Sequence, residues 1–455
     1  MKWASEPVRR CARKRSAAAA RLLIALIGLT GSQARWLTAQ NKRCQLEIMQ
    51  VARQGVRIYV SDKVENYFAG GDVQLRCRGE NVRIWTDSLA SYQGSVVQFI
   101  GNFRYEDETA KVTSDFGTYY KTDERWEARG NVIYLNLKDG SQLRGPSVNY
   151  YRKIKGTREL EEAFAEQRPT LTIASKDSAG RAAEPYIVIA DRVRTRGQDL
   201  MWAGGTVTID RSDLRGRGDS LQLDTGKAGA GALIGHGSIR RAAQDSFALT
   251  GKQIDLGLVK KELTSVTGRD SSTLRSKDLD LSSDVIRLRL ESSKVVQTLA
   301  WGKKQRPEAL TDDYQVRGDS LAVDTPQEAL KELRAFGKAW VGFKPDSAQG
   351  ERDWLAGAKI VAQFEPTSPG AKQKSVLKTL EARDSARSFY RIASTNAADK
   401  RPSISYSLAD RILLTMQQGM GDSLKVQRVD MSGHVYGFQA SPELAKPDST
   451  KPKKP

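Results

Sequence analysis

The tetrapeptide Gly218-Asp219-Ser220-Leu221 is the stretch most suggestive of chemistry, because Gly-Asp-Ser-Leu is also the signature of a class of serine esterases. Serine is a nucleophile only when a base removes its proton, and those enzymes take the base from an Asp-x-x-His block near the C-terminus. Here the chain has two histidines; His236 follows Leu233 by three residues and His434 follows Met431, so neither makes the block. The motif also recurs as Gly318-Asp319-Ser320-Leu321 and Gly421-Asp422-Ser423-Leu424, with Thr86-Asp87-Ser88-Leu89 as a shorter copy. A nucleophile is needed once, whereas a structural device is needed in every unit. The motif therefore reads as a turn capped by the Asp or Ser side chain that delivers a leucine to the core.

Other chemistries find equally little. Two histidines and three cysteines leave a histidine-rich metal site or a zinc ribbon without ligands. No carboxylate pair stands apart from the repeat as glycan hydrolysis would require, and no Gly-x-x-x-x-Gly-Lys-Ser/Thr phosphate loop occurs. The expectation is a protein that is not an enzyme and carries no cofactor.

The elements that carry the motif repeat. Residues 218–225 and 318–325 are identical at six of eight positions, 100 residues apart. A second set of anchors, Gly71, Gly101, Gly130, Gly204, Gly237, Gly268, Gly302 and Gly337, has successive separations of 30, 29, 74, 33, 31, 34 and 35, with 74 read as two units and one lost glycine. Such a period marks a stacked array rather than several domains. Thr206–Asp210, Asp284–Leu290 and Asn102–Glu106 alternate apolar and polar residues, the pattern of half-buried strands. Gly-Asn at 101–102 and 130–131, Asp-Gly at 139–140 and Gly-Asp at 218–219 are expected to punctuate strands of 4–7 residues as corners. The Glu-rich stretch Arg158–Gln167, ended by Pro169, has helical character and reads as an insertion where the glycine is missing.

Composition bounds the setting. Lys+Arg 73 against Asp+Glu 54 gives +19, a balance that favours polyanionic partners such as nucleic acid, phospholipid or a phosphorylated sugar lipid. Residues 1–34 hold seven basic side chains, one acid and the apolar run Leu22–Thr30, ending in Ser32-Gln33-Ala34; they read as a signal peptide or, alternatively, a short anchor. The rest stays basic. Export to the periplasm, and aromatics at 7% without a stacking pattern, argue against nucleic acid as the partner. In an oxidising compartment Cys44 and Cys77 have two alternatives, a disulfide or two free thiols. Residues 441–455 read as a disordered Pro/Lys-rich tail, leaving 35–440 as one continuous array of about ten strand repeats.

Gly130-Asn131-Val132 with its alternating strand, then Leu143-Arg144-Gly145-Pro146-Ser147-Val148-Asn149-Tyr150, then Ala190-Asp191-Arg192-Val193, resembles the OstA-like domain of the LptA, LptC and LptD N-terminal family of lipopolysaccharide-transport proteins. The likeness is clearest over 51–151 and 185–343 and fades towards the C-terminus. It implies an all-β, elongated, twisted β-jellyroll that shields lipopolysaccharide acyl chains in transit to the outer membrane. It also implies end-to-end self-association and partners of the Lpt type, an inner-membrane transporter and an outer-membrane barrel. The chain is longer than a minimal bridge and lacks a C-terminal barrel. Residues expected to face a lipid groove are Val73, Phe103, Tyr105, Val132, Tyr134, Val207, Ile209, Leu221, Leu223, Leu288, Leu321, Val341 and Phe343, with Arg104, Arg192, Arg194, Arg287 and Arg289 as candidates for lipid phosphates at its rim. The alternative is an exported structural or adhesin-like β-repeat protein without lipid cargo, in which the same apolar residues are ordinary core.

Overall fold

The computed structural model describes residues 44–154, 156–176, 180–226, 229–241, 247–259, 262–277, 279–326, 329–343, 352–366, 375–392, 402–418 and 424–441. The leader, the Gly421-Asp422-Ser423 copy of the motif and all of the tail beyond Ser441 lie outside them. The described residues are all-β, with 28 strands in one antiparallel sheet and no α-helix.

The strands are longer than the sequence implied. β5 (Val96–Glu106) and β7 (Arg125–Asn136) run straight through Gly101-Asn102 and Gly130-Asn131, and β25 (Ser375–Ile392) reaches 18 residues. Glycine followed by asparagine is thus not a hairpin corner here but a bend within a strand; Asp139-Gly140 does lie in the turn that follows β7. Gly101 and Asn102 both adopt left-handed backbone, φ 79° and 46°, as do Gly130 and Asn131 at 76° and 48°. The ladder skips at each such pair: β4 (Arg83–Tyr92) and β5 lose register between Trp85 and Ser88, β5 and β6 (Ala110–Tyr120) between Ile100 and Phe103. A bulge bends its strand, and bulges aligned from strand to strand bend the whole sheet along one line.

The missing glycine is accounted for by the same bend. Gln167 and Arg168 take φ 65° and 58° between β9 (Glu162–Glu166) and β10 (Thr170–Lys176). The stretch expected to be a helical insertion is therefore half of a regular strand, paired with β8 (Gln142–Tyr151) on one side and β12 (Arg192–Arg196) on the other. Ala163 and Ala165 point inward, wholly buried. Ala and Glu favour helix intrinsically, and the tertiary pairing overrides that weak preference. Six pairs of strands, β9 with β10 among them, are the two halves of one bent strand. The sheet is thus a meander of 22 bent strands, or eleven hairpins.

Doubling along the bend line brings the two halves of the sheet face to face. Tyr105 and Tyr134, beyond the bend, meet Trp126 and Tyr150 of the opposite half at ring-centroid distances of 4.7 Å (Tyr105–Trp126) and 5.6 Å (Tyr134–Tyr150). Far along the chain Tyr314 meets Phe364 at 6.0 Å in the same way. The core lies between the halves as one continuous cluster from Cys44 to Met416. Alternate hairpin turns of a meander fall at opposite strand ends, so the doubling also sets two rows of turns along a common seam.

Candidate functional site

The motif residues sit on the bend line. In β14 (Leu214–Asp224) the inward residues are Leu214, Gly216 and Gly218, then Leu221; Asp219 and Ser220 both turn outward. The Asp-Ser step thus absorbs the one-residue slip that the bulge on the neighbouring strand imposes, and the next leucine restores the inward phase. Leu89, Leu221 and Leu321 are all buried.

The aspartates form the other half of the device. Asp87, Asp115, Asp191, Asp219, Asp319 and Asp410 each lie against the left-handed glycine of the adjacent strand, so a Cβ there would land on the carboxylate. At two of them the residue after that glycine donates to the aspartate: Asn102 Nδ2 to Asp87 at 2.9 Å, Asn131 Nδ2 to Asp115 at 2.9 Å. His236 and His434 occupy the asparagine place, with Nδ1 3.0 Å from Asp219 and 2.9 Å from Asp410. Among the described residues no hydrogen bond joins Ser220 or Ser320 to a histidine, and no group of three or more His, Cys, Asp or Glu is placed to hold a metal ion.

Val73, Phe103, Tyr105, Val132, Tyr134, Val207, Ile209, Leu221, Leu288, Leu321 and Val341 all point between the two halves and are buried, none more than 7% exposed. Leu223 and Phe343 are half-buried against the same core. These side chains pack against one another. Ile209 and Leu223 border a cavity of about 40 Å³ lined by carbon: Tyr186, Ile209 and Leu214 from one half, Leu223, Leu258 and Leu263 from the other; Tyr134 borders a smaller one of about 20 Å³. The larger is little more than one water's share of the liquid, about 30 Å³, so an alkyl chain enters only if the seam parts.

Arg211 closes the seam at this point. It is the last residue of β13 (Leu200–Arg211), at the turn into β14, ion-paired twice to Asp213 (2.5 and 2.7 Å), and donates to Tyr186 Oη at 2.7 Å. Its Nη2 also reaches Ser293 Oγ, 3.3 Å away in the opposite row of turns. Burial opposes ionisation of Asp213, but the guanidinium bonded to it prevails and holds its pKa below the usual carboxylate range. Burial pushes the Tyr186 hydroxyl up, keeping it a neutral cavity wall. Nothing local in the chain marks this latch, whose partners lie 25 and 82 residues from Arg211.

A second clasp closes the seam near the disulfide. Cys44 and Cys77 are bonded, with Cα atoms 5.1 Å apart, which pins the chain before β1 (Leu46–Gln50) to the end of β3 (Val64–Cys77). The buried Arg152 pairs with Glu80 at 2.5 Å and lies 3.5 Å from the buried Glu124, which accepts the Cys44 amide at 2.8 Å. Tyr150 Oη donates to Asp107 at 3.0 Å across the same seam.

The arginines expected at a rim are elsewhere. Arg104, Arg192, Arg194, Arg287 and Arg289 are exposed on the outward face of the sheet, within strands rather than in the turns of the seam. Strand alternation decides this: each is one position from an inward residue. Arg104 stacks on Trp85 at 5.6 Å, Arg194 on Trp202 at 5.4 Å and Arg287 on Trp301 at 5.6 Å.

The edge strands are apolar. β2 (Arg53–Ser61) pairs only with β3 among the described residues and exposes Val56, Ile58, Tyr59 and Val60; β28 (Tyr436–Ala440) pairs only with β26 (Ser403–Gln418) and exposes Tyr436 and Phe438. No family model matches the chain, and no curated protein matches it.

Proposed function

We propose that this protein is an exported, non-enzymatic lipid carrier, an OstA-like β-jellyroll that holds the acyl chains of lipopolysaccharide or a related outer-membrane lipid between its two half-sheets as they cross the periplasm. The observation that carries the reading is the carbon-lined cavity at the seam, closed by one polar latch. A sheet doubled over an apolar interior, with both rows of turns on one seam, can admit a chain by parting turns rather than by breaking strand ladders. Each CH₂ moved from water into such an interior gains about 0.8 kcal/mol. The apolar edge strands β2 and β28 suit partners that dock by strand addition, whether a second copy, an Lpt-type inner-membrane transporter or an outer-membrane barrel. Energy for directional movement then comes from the transporter.

The tight packing of the interior favours a second reading, a structural β-array with no cargo. Co-elution of the protein with lipopolysaccharide in gel filtration separates the two. The carrier reading expects a defined stoichiometry with intact lipopolysaccharide and none with the chemically deacylated form. Absence of co-elution with either, or equal co-elution with both, leaves the structural array.

A further inference from the structure

On the outward face of the sheet, away from the apolar interior, β16 (Ala248–Val259), β17 (Glu262–Arg275), β18 (Asp280–Glu291) and β19 (Lys294–Trp301) enclose a concavity of about 440 Å³. Strand register builds it. Gly257 lies opposite Ser265, Ser265 opposite Arg289, and Arg289 opposite Gln297; in the next row Asp255, Thr267 and Arg287 follow in the same order. The short residues Gly257 and Ser265 make the floor, and the long side chains of Arg269, Arg287 and Arg289 stand around it.

The charges do not cancel. Arg269 is ion-paired with Asp255, and Arg289 with Glu291 at 3.3 Å. Arg287 has no carboxylate partner among the described residues; it donates to Thr267 Oγ1 at 3.3 Å and lies over the Trp301 ring at 5.6 Å. A guanidinium fixed by a ring face and one hydroxyl keeps its remaining N–H donors for a ligand, and the planar fork matches two oxygens of a phosphate. The Ser265 hydroxyl and the Gln297 amide oxygen beside it, whose Nε2 is held by Asp324 at 2.7 Å, suit the hydroxyls of a sugar.

We propose that this concavity binds a phosphate monoester carried on a saccharide, with Arg287 as its principal ligand. The site does not rest on the lipid reading: its arginines lie on the other face of the sheet from the core residues Val266 and Leu288, and of its lining Leu256 alone also borders the interior cavity.

Isothermal titration calorimetry with glucose 1-phosphate, and with glucose as the uncharged control, tests it. Saturable binding of the phosphate ester alone is expected, weakened at least tenfold in Arg287→Gln and abolished in Ser265→Leu, which fills the floor, both variants keeping the wild-type circular dichroism. Arg104→Gln is the matched control: Arg104 stacks on Trp85 at the same 5.6 Å but stands outside the concavity. It should bind as the wild type does. Vesicles containing phosphatidic acid distinguish the source of the ester: competition with glucose 1-phosphate means that a lipid headgroup also occupies the site, and lack of competition restricts it to soluble esters. No saturable binding, or equal weakening by Arg104→Gln, overturns the proposal.

Discussion

Leu221→Ala and Ser220→Ala separate the structural role of the Asp-Ser-Leu motif from a chemical one. Leu221 is 2% exposed and stands in register between Ala203 of β13 and Leu233 of β15 (Ala230–Arg241), all three facing the interior. Removing a fully buried leucine side chain to the β-carbon costs about 2–5 kcal/mol, more where the site cannot collapse. A sheet anchored by ladders on both sides collapses little, so a loss of about 3 kcal/mol is expected. Ser220 is turned outward at the bend, and its replacement by alanine should change stability by less than about 0.5 kcal/mol. In a stacked array each unit contacts its neighbours, so the loss is local before it is global. Hydrogen exchange read by mass spectrometry over peptides covering 200–241 is the suitable assay. In Leu221→Ala those amides should exchange about a hundredfold faster, 3 kcal/mol corresponding to two factors of ten, while peptides near Leu75 stay unchanged. Equal acceleration in Ser220→Ala, or ester hydrolysis by the wild type that Ser220→Ala abolishes, would rule out a purely structural role for the motif.

Four other outcomes follow from the same geometry. Gly130→Ala places a side chain at φ 76° and against Asp115; the left-handed backbone alone costs about 1–2 kcal/mol, and Asp115→Ala in the same molecule should recover part of the loss in urea unfolding. Arg152→Met leaves Glu124 buried beside an apolar group, and breaking a buried pair from one side costs about 3–5 kcal/mol; the midpoint of thermal unfolding should fall accordingly, less so in Arg152→Met/Glu124→Gln. Reducing Cys44–Cys77, which spans 33 residues, should cost about 3–4 kcal/mol by loop entropy, read as a lower urea midpoint in dithiothreitol. The Arg211–Asp213 pair is sensitive to acid: the Asp213 pKa is depressed in the folded protein, so its stabilisation is complete above the unfolded carboxylate value of about 3.9 and fades as pH falls through the lower folded one. Binding of an apolar dye at the seam should therefore be flat from pH 7 to 5 and rise below 4, and Arg211→Ala should show that rise already at neutral pH.

The sequence carried the class and the period of this fold but not its bends. Alternation over Thr206–Asp210 or Asp284–Leu290 is a local property of a half-buried strand, and it is legible in a single stretch. A bend of two left-handed residues is different, because it adds one residue to a strand and so looks like a turn between two short strands. Gly101-Asn102 was legible as a special backbone position for that reason, but not as the middle of an 11-residue strand. Gln167-Arg168 had no glycine to mark it, and the Glu and Ala residues before it favour helix in isolation. The candidate interior was legible residue by residue, because inwardness follows from the period of two. Its closure was not: Arg211 with Ser293, Arg152 with Glu80 and Cys44 with Glu124 meet only after the sheet doubles, and nothing local in the chain announces a contact over 72 to 82 positions. The same limit put Arg287 and Arg289 at a rim. Strand phase places them outward, but which concavity they share depends on four strands in register.

In the carrier reading the interior of the doubled sheet takes up acyl chains. Its most direct test is photocrosslinking of the purified protein to lipopolysaccharide, with the photoreactive residue placed in turn at Val207, Thr208 and Ile209 of β13. Val207 and Ile209 face the interior and Thr208 faces outward, so three adjacent positions differ only in the side of the sheet they sample. The carrier account predicts crosslinks at 207 and 209 and none at 208. No crosslink at any of the three in protein folded by circular dichroism, or one at 208 alone, would contradict it.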